Sequence, residues 1–320
     1  MTTYSDILYH MGGVPVMFNL PFTRDSKYYF VDPARGSNTN DGLTPDRALA
    51  DCETGEDHCT ANQHDAVVYL AGATGDTLSA AVTWDKSYTH LVGVCAPTQV
   101  AQRARLHYET GTTAASPLLE ITASGCIFKN FYIFDGIASA SNLINVQVSG
   151  GRNYFENVHF AGGGDTTQAV DGGCSLRLVG SEGENTFVNC TVGVDTVAAS
   201  TGMMAMRIYG GTARNIFRKC NFTMYAGSTG AGFIEWEALS AVDRYMLFED
   251  CMFLNTGTST MASAFVIPAS VPSHRRMFMV NCYGHGFTDW DASDRGVLYF
   301  AGGTATAGGY TGFFQASAVT

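Results

Sequence analysis

Arg177 and Arg207 hold the same place in two short apolar segments, SLRLV (175–179) and MAMRI (204–208), and a third, FIEWE (233–237), carries Glu235 and Glu237. A guanidinium forks onto a carboxylate, so two arginines beside a glutamate suit the acid group of a sugar or an internal ion pair. His285, in GHG (284–286), can move protons near neutral pH. Cys52, His58, Cys59 and His64 are zinc-ligand types, but the C-x6-C spacing of CETGEDHC (52–59) is no structural zinc pattern. A surface loop is expected there, with a local disulfide open to it. Asp32 with SNTNDG (37–42) has the Asp/Asn spacing of a calcium loop and lacks the closing Glu. An Asx-rich turn is expected, no cofactor is required, and calcium is the one alternative.

Whether these groups meet depends on the segments that carry them, and those segments repeat. FKNFYI (128–133), FENVHF (155–160), FVNCTV (187–192), FRKCNF (217–222), FEDCMF (248–253) and MVNCYG (279–284) follow at intervals of 27, 32, 30, 31 and 31 residues. About a dozen residues before each comes a short strand: LLEIT (118–122), LINVQV (143–148), SLRLV, MAMRI, FIEWE and AFVI (264–267), with VLYF (297–300) after the last copy. Such a period, with short strands and no 3.6-residue periodicity, describes a β-solenoid. In FVNCTV, simple alternation would put Asn189 in line with Phe187. A corner resolves this: Phe187 points inward, Asn189 turns, and Cys190 points inward on the next strand, with Thr191 outward.

Stacking coils at about 4.8 Å turns each repeat position into a column. The predicted corner column is Asn130, Asn157, Asn189, Lys219, Asp250 and Asn281, a hydrogen-bonding ladder that Lys219 interrupts. Cys190, Cys220, Cys251 and Cys282 form an inward column of reduced thiols. The outward column of the first strands is Glu120, Asn145 with Gln147, Arg177, Arg207, Glu235 with Glu237, Val266 and Tyr299. Arg177 on Arg207 requires compensation by glutamate or by a ligand.

Composition agrees. The chain of 320 residues is 15% charged against an average near 25%, and has 36 glycines. A net charge of −11 argues against nucleic-acid binding. No apolar run is long enough to span a membrane, and the first residues lack a secretory signal pattern. Nine cysteines without paired spacing fit a reducing compartment. The fold class is all-β: a single right-handed parallel β-helix of roughly eight to nine coils over 25–320, after an N-terminal arm or cap (1–24). Within that arm Ser5–Met11 reads as a short helix.

The bend with its Asn column resembles the right-handed parallel β-helix of the pectin-lyase-like superfamily, as do YYFVDPARGSNTNDGLTPDRALA (28–50) and HDAVVYLAGATGD (64–76), which look like the opening coil of such proteins. The superfamily hosts lyases, hydrolases, epimerases, phage tailspikes and inert structural proteins, so the resemblance implies fold more than activity. GHG resembles a polygalacturonase motif, but the Asn-Thr-Asp and downstream Arg-x-Lys of that family are missing. The resemblance places binding or catalysis near the first-strand column and its long loops, 161–174, 193–203, 223–232, 254–263 and 284–296. Glycan-binding candidates are Asn145, Arg177, Arg207, Glu235 and Tyr299; a catalytic reading would use Arg177, Arg207, Glu235 and His285. The expected function is a non-enzymatic phage virion protein (capsid decoration, head fibre or host attachment). It is expected to be a homotrimer, docked on other virion proteins through the arm and facing host polysaccharide. The alternative is a polysaccharide lyase or glycoside hydrolase, such as a tailspike depolymerase.

Overall fold

The computed structural model describes residues 20, 23–113, 115–272, 275–291 and 297–300. The proposed Ser5–Met11 helix lies outside them. Three parallel sheets run the length of a right-handed β-solenoid. Sheet 1 begins with Tyr28–Val31, Ala66–Leu70 and His90–Val94 and continues through the first half of each FVNC-type repeat to Leu298–Phe300. Sheet 2 carries the second halves, from Asp76–Leu78 to Tyr283–His285, and sheet 3 the first strands, from Val82–Trp84 to Phe287–Asp291. The eight strands of sheet 3 each close one coil among the described residues.

The corner between sheets 1 and 2 is built as the register slip implies. Asn130, Asn157, Asn189, Lys219, Asp250 and Asn281 have φ of 57°, 53°, 53°, 53°, 54° and 50°. Asn and Asp tolerate this left-handed region; Lys enters it at a steric cost. The corner N–H of Asn189 donates to Arg218 O at 2.9 Å, that of Lys219 to Glu249 O at 2.9 Å and that of Asp250 to Val280 O at 2.9 Å. The backbone ladder therefore continues through the bend. The side-chain ladder joins Asn157 Nδ2 to Asn130 Oδ1 at 2.7 Å, and Asn130 Nδ2 donates to Gly93 O and Cys95 O, each at 2.9 Å.

Inside each corner one ring lies on the next. Phe128, Phe155, Phe187, Phe217 and Phe248 stack with centroids 5.0, 4.6, 4.4 and 5.0 Å apart and planes within 11°. Cys190, Cys220, Cys251 and Cys282 are buried, and each thiol donates to corner carbonyls, Cys220 Sγ to Arg218 O at 3.3 Å. Burial, reinforced by neighbouring thiols, pushes the Cys220 thiol well up and keeps it protonated. All nine cysteines are free.

Thr191 points outward yet is buried, because residues 95–102 form a strap over the corner. Gln102 Nε2 donates to Asn157 O at 2.7 Å, Thr191 Oγ1 to Gln99 O at 2.8 Å and Gln99 Nε2 to Lys219 O at 3.1 Å.

Three expectations need correction. The stretch 52–59 is not a surface loop: Cys52–His58 is a helix, capped by Asp51 and closing the first coil, with Cys52 and Cys59 buried. Gly55 lets it approach, since a Cβ there would lie 3.0 Å from Val31 and Val67. Of the loop expected over 284–296, the described residues 284–291 are instead almost all strand, since Tyr283–His285 and Phe287–Asp291 belong to sheets 2 and 3. Tyr299 consequently belongs to sheet 1, paired with Phe278; the sheet 3 position it was assigned had already been filled by the strand before it.

Phe187→Ala should cost about 3–5 kcal/mol, since it opens a cavity in a continuous ring stack; thermal melting of the variant checks this. Lys219→Asn should raise stability by about 0.5–1 kcal/mol by relieving the left-handed strain, read as a higher melting temperature.

Candidate functional site

Register along sheet 3 aligns Glu120, Gln147, Arg177, Arg207, Glu235 and Val266. The polar side chains of the column contact one another. Gln147 Nε2 donates to Glu120 Oε1 at 2.9 Å, and Arg177 Nη1 to Gln147 Oε1 at 3.4 Å. Arg177 Nε donates to Glu237 Oε2 at 2.8 Å, and its guanidinium lies 5.6 Å from the Tyr209 ring. Arg207 is only 6% exposed. It pairs with Glu235, lies 3.8 Å from Glu237 Oε1, and donates to Gly202 O at 2.6 Å. The stacked arginines are thus neutralised by the chain's own glutamates. Burial raises the Glu235 carboxyl above its ordinary value while Arg207 opposes that shift.

A second feature, on sheet 2, is open. A groove of about 590 Å³ is lined by Thr77, Arg105, His107, Tyr108, Glu109, Thr110, Tyr132 and Phe134. Alternation places five of these outward: Thr77, His107 and Phe134 share one column, and Arg105 aligns with Tyr132. The rings of Tyr132 and Phe134 are 5.9 Å apart, and those of Tyr108 and Phe134 6.2 Å. Two glycines keep the space clear: a Cβ on Gly75 would lie 2.8 Å from His107 and 2.9 Å from Arg105 Nε, and one on Gly136 2.8 Å from Phe134. Arg105 has no ion-pair partner among the described residues, and its buried Nε has no hydrogen-bond partner. His107 Nδ1–H donates to Tyr108 O at 3.0 Å, leaving Nε2 as an acceptor. Burial, with Arg105 nearby, lowers the His107 pKa and keeps the ring neutral at pH 7. Burial pushes the Tyr132 hydroxyl up to about 12, so it stays protonated. Aromatic faces, an unpaired cation, a neutral acceptor and one carboxylate, Glu109, therefore share the groove.

No protein-family model and no curated protein matches the chain. Solved structures do. A pectin methylesterase in complex with a hexasaccharide superposes with a TM-score of 0.58 at 12% identity, covering 91% of this chain and 94% of the other. Pectin methylesterase PemA from Erwinia chrysanthemi gives 0.56 at 11% identity over 93% and 94% of the two chains. ORF18 of Geobacillus virus E2 gives 0.50 at 13% identity over 81% of this chain and 50% of that one. The fold is the pectin-lyase-like parallel β-helix.

In this chain the residues singled out from sequence fall in separate places. Arg177, Arg207 and Glu235 meet on sheet 3. Asn145 is buried beside them under the loop that follows sheet 2, its Nδ2 donating to Ile133 O at 3.2 Å. His285 is exposed on sheet 2, aligned with Leu254, so the four residues of the catalytic reading do not converge. Tyr299 lies on sheet 1, with Arg276 5.1 Å from its ring.

The zinc-type residues are also dispersed. His58 packs on Tyr29 at 5.5 Å, and Cys59 Sγ donates to Gly55 O at 3.4 Å. His64 Nδ1 lies 3.0 Å from His90 Nε2. Ile127 N–H donates to His90 Nδ1 at 3.0 Å, so His90 carries its proton on Nε2 and donates it to His64. Burial, then the neighbouring His64, pushes the His90 pKa down to about 3. Among the described residues no group of His, Cys, Asp or Glu could hold a metal ion. In the calcium-like stretch, Asn38 Oδ1 accepts from Ala50 N–H at 2.8 Å, Asn40 Nδ2 donates to Ala48 O at 2.8 Å and Asp41 pairs with Arg47 at 3.0 Å. These side chains serve the turn.

The groove was missed from sequence because RARLHY (103–108) lies in a coil before the first FVNC-type repeat. The available signal was alternation: Arg105 and His107 flank inward Leu106, and Tyr132 and Phe134 flank inward Ile133.

Arg207→Ala should destabilise by about 3 kcal/mol, because it leaves the half-buried Glu235 unpaired, while Glu237 keeps Arg177. The loss should grow with pH. Without Arg207 the folded Glu235 pKa rises further, and a raised carboxyl binds its proton more tightly in the folded state. Its cost is therefore absent below the unfolded value of 4.5 and increases as pH rises through the folded value. Melting curves of wild type and variant at acidic and neutral pH measure the difference.

Proposed function

We propose that this chain is a non-catalytic β-helix of a phage particle that binds surface glycans through the sheet 2 groove. The observation that carries the reading is the pairing of half-buried aromatic rings that line the groove, Tyr132 and Phe134, with the unpaired Arg105. A pyranose ring has an apolar face that stacks on such rings, and its hydroxyls suit a polar rim. Arg105 selects sugars bearing an anionic substituent. A single carboxylate, Glu109, lines the groove, whereas hydrolysis by the usual route uses two at a set separation. On sheet 3 the arginines of the catalytic reading are already committed as ion pairs, Arg177 with Glu237 and Arg207 with Glu235. The solved structure of a similar fold with a hexasaccharide and the likeness to a virus protein support the same direction. Docking on a particle through residues 1–24 belongs to this proposal.

A panel of neutral and acidic oligosaccharides tests it, read by calorimetry and by reducing-sugar and unsaturated-uronate release. Binding without product is expected. Tyr132→Ala should weaken it about tenfold or more, and Arg105→Ala should remove the preference for acidic sugars. Product release that Arg207→Ala abolishes, or binding indifferent to both groove variants, would overturn the reading.

A further inference from the structure

The outer face of sheet 1 is treated differently along its length. On the first three coils the chain covers it itself: Leu20 and Ala48 pack over Phe30, Val68 and Val92. From Ile127 onward the outward residues form two columns. One is apolar, running Ile127, Tyr154, Thr186, Ile216 and Leu247 and ending on Phe278 and Tyr299, which are 38% and 42% exposed. The other runs Lys129, Glu156, Val188, Arg218, Glu249. Its charges pair along the column, Lys129 Nζ with Glu156 at 2.8 Å and Arg218 Nε with Glu249 at 2.7 Å.

The order of signs in that second column is positive, negative, neutral, positive, negative. Reversed, it becomes its own complement. A two-fold axis through Val188, lying in the face and perpendicular to the solenoid axis, sets each column against itself in reverse. Lys129 then faces Glu249 of the second copy, and Glu156 faces Arg218, each contact occurring twice, as two-fold symmetry requires. The apolar column obeys the same axis: Thr186 meets Thr186, Tyr154 meets Ile216 and Ile127 meets Leu247. The match needs a partner with one side chain per coil at the same spacing of about 4.8 Å, which another copy supplies. The paired stretch of five coils is about 24 Å long. It carries no net charge, so it gives two copies of −11 a place to meet without added repulsion.

We propose that this face joins two copies of the chain in an antiparallel, two-fold pair centred on Val188, rather than the homotrimer expected of a virion protein. Sedimentation of the full chain across a concentration series tests it, with charge reversals as the discriminating variants. Arg218→Glu opposes Glu156, and Glu156→Arg opposes Arg218, so each alone should weaken the pair about tenfold or more. The double variant, Glu156→Arg with Arg218→Glu, has the signs positive, positive, neutral, negative, negative, again its own complement under reversal. It should recover the dimer, although within one copy it stacks like charges. Recovery by a variant with poorer internal pairing cannot come from better folding of the monomer. A monomer at every concentration, a three-fold assembly, or a double variant no better than the singles would overturn the proposal; the last would point to the chain's own terminal segments as the occupant.

Discussion

Every part of this molecule answers to one constraint: successive coils hydrogen-bond in parallel at the strand spacing, so each side chain has a near-identical environment directly above and below. Inside, the constraint rewards repetition. A phenylalanine at the sheet 1 corner finds another ring at 4.4–5.0 Å, and thiols recur beside the corner carbonyls to which they donate. The left-handed corner residues keep the ladder unbroken, and Lys219 adopts the same conformation as its neighbours Asn189 and Asp250. Backbone pairing, rather than the residue's own preference, sets that conformation.

On the surface the same spacing makes charge a matter of columns. Arg177 directly beneath Arg207 would be unfavourable in isolation; Glu235 and Glu237, one coil further on, reach back to satisfy both. The sheet 1 face solves the problem by alternating sign within the column. Among the described residues, sheet 2 leaves Arg105 without a carboxylate partner beside half-buried rings. The three faces of one solenoid thus carry three electrostatic states: neutralised within, self-complementary, and open to a ligand.

Much of the architecture was legible because repeats report themselves. Six copies of the bend define the corner, and the register slip at Asn189 says which residues face inward. Errors arose where the repeat pattern weakened. VLYF looks like a first strand and so places Tyr299 on sheet 3, yet Phe287–Asp291 occupies that place, its apolar pattern hidden by FTDWD. Helix Cys52–His58 spans only two turns, too few for periodicity to show, and its burial depends on an open solenoid end that no local pattern encodes.

The sequence by itself determined the coil, its corner and the membership of its columns, because spacing along the chain translates directly into stacking when every turn has nearly the same length. Only the tertiary structure decided which charged residues are spent on each other and which remain available. Arg207 and Arg105 look alike as letters, each outward-facing in a short strand. Loops 161–174 and 193–203 fold over Arg207 and bury it against glutamates, whereas Gly75 and Gly136 hold open the space around Arg105. That distinction comes from three-dimensional packing of irregular segments, whose paths no periodicity records.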